Sequence, residues 1–169
     1  MISSQQIGNE AEKEFIKEAK SCGFKVRRAS PRQDMRHHYD VILEDTNGTI
    51  IKVDIKGLKR SARNGQSLVD SMWIEFTNVR GNKGWIHGQA DWIAQKVNVI
   101  GQPEFFIFKR KDLLKQADKL VRWDLPVVDS PRDAEYRLYR RKGRLDLVTR
   151  IPLVDLKPFK IWGIKERRD

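Results

Sequence analysis

The segment Val53-Asp54-Ile55-Lys56 sets a carboxylate and an ammonium into an otherwise apolar run. Side chains alternate between the faces of a strand, so Asp54 and Lys56 share one face while Ile51, Val53 and Ile55 share the other. A second acid, Asp40, stands directly before Val41-Ile42-Leu43. A charge inside an apolar strand costs free energy unless it is paired or binds a metal. Between the two segments lie Asp45, Asn47 and Gly48, and Asn-Gly is the strongest short hairpin signal. A hairpin here runs the strands antiparallel and brings Asp40 toward Asp54. Two converging carboxylates repel, and a divalent cation relieves that repulsion. Magnesium prefers oxygen ligands and keeps several waters. It polarises a phosphate and lowers the pKa of a bound water, while a neighbouring lysine orients that water and stabilises developing charge. These are the parts of a phosphodiester-hydrolysing site, with manganese expected to substitute for magnesium.

The elements around this pair follow from periodicity. Ser3 or Ser4 can cap a helix running to about Ser21, with Ile7, Ala11, Phe15 and Ala19 as its apolar stripe and Gly23 as its terminator. On that helix Glu12 borders the buried side and is placed to reach toward the sheet, whereas Glu14 faces water. Residues 24–28 read as a strand, 29–38 as a polar loop broken by Pro31, 39–43 and 49–56 as the hairpin strands, and 71–77 as a further strand. Residues 85–99 are aromatic-rich and ambiguous, 104–108 form a strand, 111–120 a helix, and 136–150 a hairpin turning at Lys142-Gly143. The order predicts a mixed α/β (α+β) domain with a central sheet flanked by helices. In the 29–38 loop Asp34 is expected to be solvated. Adjacent histidines on a strand point to opposite faces, so at most one of His37 and His38 would join the site. Trp85, Trp92 and Trp123 are expected in the core rather than stacked on bases.

At these residues the chain resembles the PD-(D/E)XK nuclease superfamily, and within it the archaeal Holliday-junction resolvases. Gly8-Asn9-Glu10-Ala11-Glu12 matches a helix carrying a glycine and, four residues on, a glutamate; Gly23-Phe24 opens the following strand, and Arg28 and Ser30 fall in the polar segment after it. Asp40 matches the first metal aspartate and Asp54-Ile55-Lys56 the (D/E)XK strand. The resemblance covers the chain to about Leu58; no proline precedes Asp40, where Tyr39 stands. It implies a restriction-endonuclease-like fold, with Glu12, Asp40, Asp54 and Lys56 as catalytic residues. The metal would be held by Asp40, Asp54 and the Ile55 carbonyl, with Glu12 holding a water or a second metal. It also implies branched DNA as substrate and a homodimer as the working form.

Composition agrees with a polyanionic partner. Of 169 residues 34 are Lys or Arg and 23 Asp or Glu, giving a net charge of +11, and a domain this basic is expected to meet nucleic acid. Residues 132–169 hold twelve Lys/Arg against six Asp/Glu, +6 of the chain's +11. Arg140, Arg141, Lys142 and Arg144 cluster there, and Lys59, Arg60 and Arg63 follow the active strand; both clusters suit phosphate contacts that position a duplex without reading bases. The length suits one nuclease domain over 1–169, with a catalytic core over about 1–120 and a basic β-rich extension over about 127–169. One cysteine, Cys22, makes neither an internal disulfide nor a cysteine-rich zinc site. With no apolar run of signal-peptide or membrane-span length, a cytoplasmic protein with no membrane partner is expected. Two other readings fit the same residues: a restriction- or repair-type endonuclease on linear duplex, and a non-catalytic DNA-binding module that keeps the motif.

Overall fold

The computed structural model describes residues 3–58, 71–99 and 102–163. Lys59, Arg60, Arg63 and the last residues lie outside that range. The chain divides into two compact units, Met1–Val69 with Ala90–Lys109 and Pro158–Asp169, and Asp70–Gln89 with Arg110–Lys157. Both units draw on the chain beyond residue 127.

The first unit opens with helix α1, Ser4–Ser21. Ser3 caps it: its side chain accepts from the Gln6 N–H, and the Gln6 side chain accepts from the Ser3 N–H, so two orphan donors are satisfied reciprocally. Ala11, Phe15 and Ala19 are fully buried, as their four-residue spacing predicts. Beyond the helix Gly23 takes φ +91, the left-handed conformation that ends it. Strand β1 covers Lys25–Arg28. The segment expected to be a loop is instead a short helix, α2, Pro31–His37. Ser30 and Gln33 form a second capping box, and Pro31 sits at the first helical position. Its missing N–H is an orphan there in any case, so this proline starts a helix rather than breaking one. None of the residues of α2 is buried, which is why no apolar period announced it.

Strands β2, Val41–Glu44, and β3, Ile50–Lys56, form the expected antiparallel hairpin. At the turn Asp45 Oδ1 accepts from the N–H groups of Asn47 and Thr49, and Gly48 has φ +79. Strands β5, Trp92–Val99, β6, Gln102–Lys109, and β8, Lys160–Trp162, complete a six-stranded sheet in the order β1-β2-β3-β5-β6-β8. Every neighbouring pair is antiparallel except β3 with β5. The fold is thus mixed α/β with a mostly antiparallel central sheet.

One face of the sheet carries the core of this unit. Phe15 and Ala19 of α1 pack with Val41, Leu43, Val53, Ala94, Phe105 and Ile107. Phe15 meets Phe105 edge-on and stacks on Trp162, both with centroids 5.4 Å apart. Asp54 and Lys56 alternate with Val53 and Ile55, so they lie on the face turned away from α1.

In the second unit β4, Ser71–Thr77, pairs with β7, Leu147–Pro152, beside helix α3, Arg110–Leu120. Met72, Ile74, Ile86, Leu113, Ala117 and Ile151 are fully buried. The hairpin expected over 136–150 forms in part. Gly143 turns with φ +76 and Tyr139 bridges Val148, but the arm before the turn is not a strand. Trp85 and Trp92 are buried as expected, whereas Trp123 is 48% exposed. Its ring meets Phe76 edge-on at 5.0 Å and its Nε1–H is bonded to the Asp118 carbonyl, which leaves one face of the indole to water. No helix among the described residues is long and apolar enough to cross a membrane.

Candidate active site

Strand β2 starts at Val41, later than expected, because the chain bends at Asp40. There the Asp40 N–H donates to the Val53 carbonyl at 2.8 Å and the Asp40 carbonyl accepts from Ala29 at 2.8 Å. The bend frees the side chain to cross to β3, where Oδ2 accepts from the Ile55 N–H at 2.7 Å. Asp54 is 4% exposed, and the Lys56 ammonium lies 3.0 Å from its Oδ2. The hairpin therefore brings together Asp40, Asp54, Ile55 and Lys56.

These groups strain one another electrostatically. Burial, and next the Asp54 charge, push the Asp40 carboxyl up to about 7, against the Ile55 N–H and Lys56, which pull it down. Burial likewise raises Asp54 above the usual carboxylate range, with Lys56 opposing. Asp34, expected to be solvated, joins the group. Helix α2 brings it into hydrogen-bond contact with Asp40, and desolvation together with the Asp40 charge raises its carboxyl too. Its position became legible only with α2, which carries it in the helix's first turn. Gln95 was also missed. It stands beside Lys56 in the parallel register of β3 and β5 and is 7% exposed. Its Nε2 donates to the carbonyls of Lys96 at 2.9 Å and Gly57 at 3.2 Å, where β3 leaves the sheet.

Glu12 is held differently. Its carboxylate is ion-paired with Arg28 of β1, although its charge still reaches Asp40. Glu14 does not simply face water: its Oε2 lies 2.8 Å from the Lys96 ammonium. Among the described residues no group of three His, Cys, Asp or Glu side chains is disposed to hold a metal. The end of β3 is nevertheless close to α1. A Cβ on Gly57 would lie 3.3 Å from Ile7 Cγ2 and 3.4 Å from the Ile7 carbonyl oxygen, a gap that suits glycine.

His37 and His38 are not strand residues. His37 ends α2 and stacks on Tyr39 with centroids 6.3 Å apart, and His38 caps the helix with φ 56. Of the expected phosphate-contacting residues, Arg28 is engaged with Glu12 and Ser30 with its capping box. Arg140, Lys142 and Arg144 are exposed. Arg141 is tied by its Nε at 2.7 Å to Asp146, which is fully buried.

No family model matches the chain, and no curated protein matches it. Among solved structures it is similar to a bacterial homing endonuclease, I-Ssp6803I, with a TM-score of 0.47 and 19% sequence identity over 68% of this chain and 74% of that one.

Proposed function

We propose that the chain is a magnesium-dependent DNA endonuclease of the PD-(D/E)XK type. The observation that supports this most directly is the assembly of Asp40, Asp54 and Lys56 at one end of β3, with both carboxyls raised by burial and Asp40 also by the Asp54 charge. That donor set suits a hard divalent cation: two carboxylates and a backbone carbonyl, all oxygen, in a place where each negative charge disfavours the other. Asp40, Asp54 and the Ile55 carbonyl would hold the ion. When bound, it supplies Lewis-acid polarisation of a phosphate oxygen and an activated water.

The protein's own groups do the rest. Asp40 is fixed against the Ile55 N–H, so its second oxygen keeps one direction. Lys56, restrained beside Asp54, donates to the attacking water or to the phosphate oxygen as negative charge builds there. Gln95 keeps the Lys56–Gly57 backbone from peeling off β5. From the helix side, Glu12 is paired with Arg28 and, released from it, would hold a water or a second ion. Branched DNA, cut by a homodimer, is the substrate the resemblance to junction resolvases implies.

Labelled four-way junction and matched linear duplex, incubated with magnesium or EDTA, test this with wild type and Asp54→Asn. Wild-type cleavage that needs magnesium and vanishes in the variant supports the site. Preference for the junction selects the resolvase reading, and equal rates select a general duplex endonuclease. Binding of DNA by both proteins without cleavage under any metal would overturn the nuclease reading in favour of a binding module.

A further inference from the structure

The two faces of the sheet treat their cations differently. On the α1 face, Arg28 and Lys96 are each neutralised by a helix glutamate, Glu12 and Glu14. On the other face, the register places Arg27 of β1, Ile42 of β2 and Lys52 of β3 in one row. Lys52 then precedes Asp54 by two residues on the same side of the same strand. Arg27 is exposed and Lys52 half-buried. Among the described residues neither has a carboxylate within ion-pair distance. The Lys52 ammonium lies 5.3 Å from the centroid of the Tyr39 ring, a contact that restrains a cation without cancelling its charge. Lys25, the other cation of β1 on this face, stands opposite Glu44.

We infer that Arg27 and Lys52 form a phosphate track that lays one strand of a DNA duplex across the sheet and delivers it to Asp54 and Lys56; this rests on the nuclease reading of that site. Lys52 is about 7 Å from Asp54 along the strand, and Arg27 stands about 10 Å further across two strands. A nucleic-acid strand carries a charge every 3.4 Å or so of axis, so successive phosphates span these steps. The row approaches the carboxylates with neither of its cations ion-paired among the described residues. The track also accounts for Arg27 and Arg28 being adjacent yet unlike. One ties the sheet to α1 and its neighbour is left for the ligand.

The test is binding, read apart from cleavage. Fluorescence anisotropy of a labelled duplex in EDTA, over a series of salt concentrations, compares wild type with Arg27→Ala, Lys52→Gln, the double variant and Lys17→Ala, an exposed lysine on α1. Each track substitution should lower affinity severalfold and reduce the slope of log K against log salt by about 1, the double variant by about 2. Lys17→Ala should change neither. Slopes and affinities equal to wild type in the double variant overturn the track, even if wild type cuts DNA with magnesium. Loss of slope in a protein that no metal makes cut keeps the track and removes the nuclease. Absence of DNA binding by wild type, or tighter binding of matched duplex RNA, also overturns the assignment.

Discussion

A carboxylate 4% exposed, 3.0 Å from a lysine and beside a second acid, is an arrangement that stability alone would not retain. Removing its charge should therefore abolish function without harming the fold. Asp54→Asn is expected to cut magnesium-dependent cleavage by at least about a hundredfold, while thermal denaturation in EDTA shows no loss of Tm. The raised Asp40 carboxyl gives a pH signature. Its folded value of about 7 lies above the ordinary 3.8, so between those values the folded state holds a proton that the unfolded state has released. Its contribution to stability is fully present below about pH 4 and is lost as pH rises through 7. Asp40→Asn should accordingly raise Tm over wild type more at pH 8 than at pH 5 in EDTA. Magnesium should narrow the gap by stabilising wild type at pH 8. Asp40, Asp54 and Lys56 were legible from sequence because a charge in an apolar strand needs a partner and a hairpin of known turn type supplies it. Asp34 and Gln95 were not, since neither carries a sign of its own. One depends on a helix with no buried residue, the other on a strand pairing across 39 residues.

At the scale of elements, the hairpin and α1 follow from local rules, and α2 shows where such rules mislead. Pro31 marks a break when read by itself and a helix start when read with Ser30 and Gln33. Ser30→Ala should cost about 1 kcal/mol. The loss falls on α2, so amide exchange should quicken over residues 31–37 while α1 is unchanged. The contact between α1 and the end of β3 is tighter. With Ile7 Cγ2 only 3.3 Å from where a Cβ would stand, Gly57→Val should destabilise by about 1–3 kcal/mol. It should also slow cleavage, because the strain falls on the residue next to Lys56. Denaturant titration alongside single-turnover cleavage separates the two effects.

Considered whole, the chain does not divide into a catalytic core followed by a tail. Strand β8 pairs with β6 and its Trp162 stacks on Phe15, while β7 is the partner of β4. A fragment ending at residue 126 should lack both, and we expect it to show no cooperative unfolding transition by circular dichroism. The basic stretch after residue 127 was visible in composition, but its membership of two separate units was not. That membership depends on long-range pairings, which leave no periodic trace in the residues concerned.

The parallel pairing of β3 with β5 also orders events in time. A two-strand turn closes within microseconds, so Asp40 and Asp54 meet early, while the chain is still being made. The strand that seats Gln95 beside Lys56 arrives some forty residues later, and the strand that closes the far edge of the sheet more than sixty residues after that. Distant pairings of this kind form slowly. A nascent chain thus brings its two acids together before the Lys56–Gly57 backbone gains its bonds from Gln95, and the proposed site is not complete until β5 has been made.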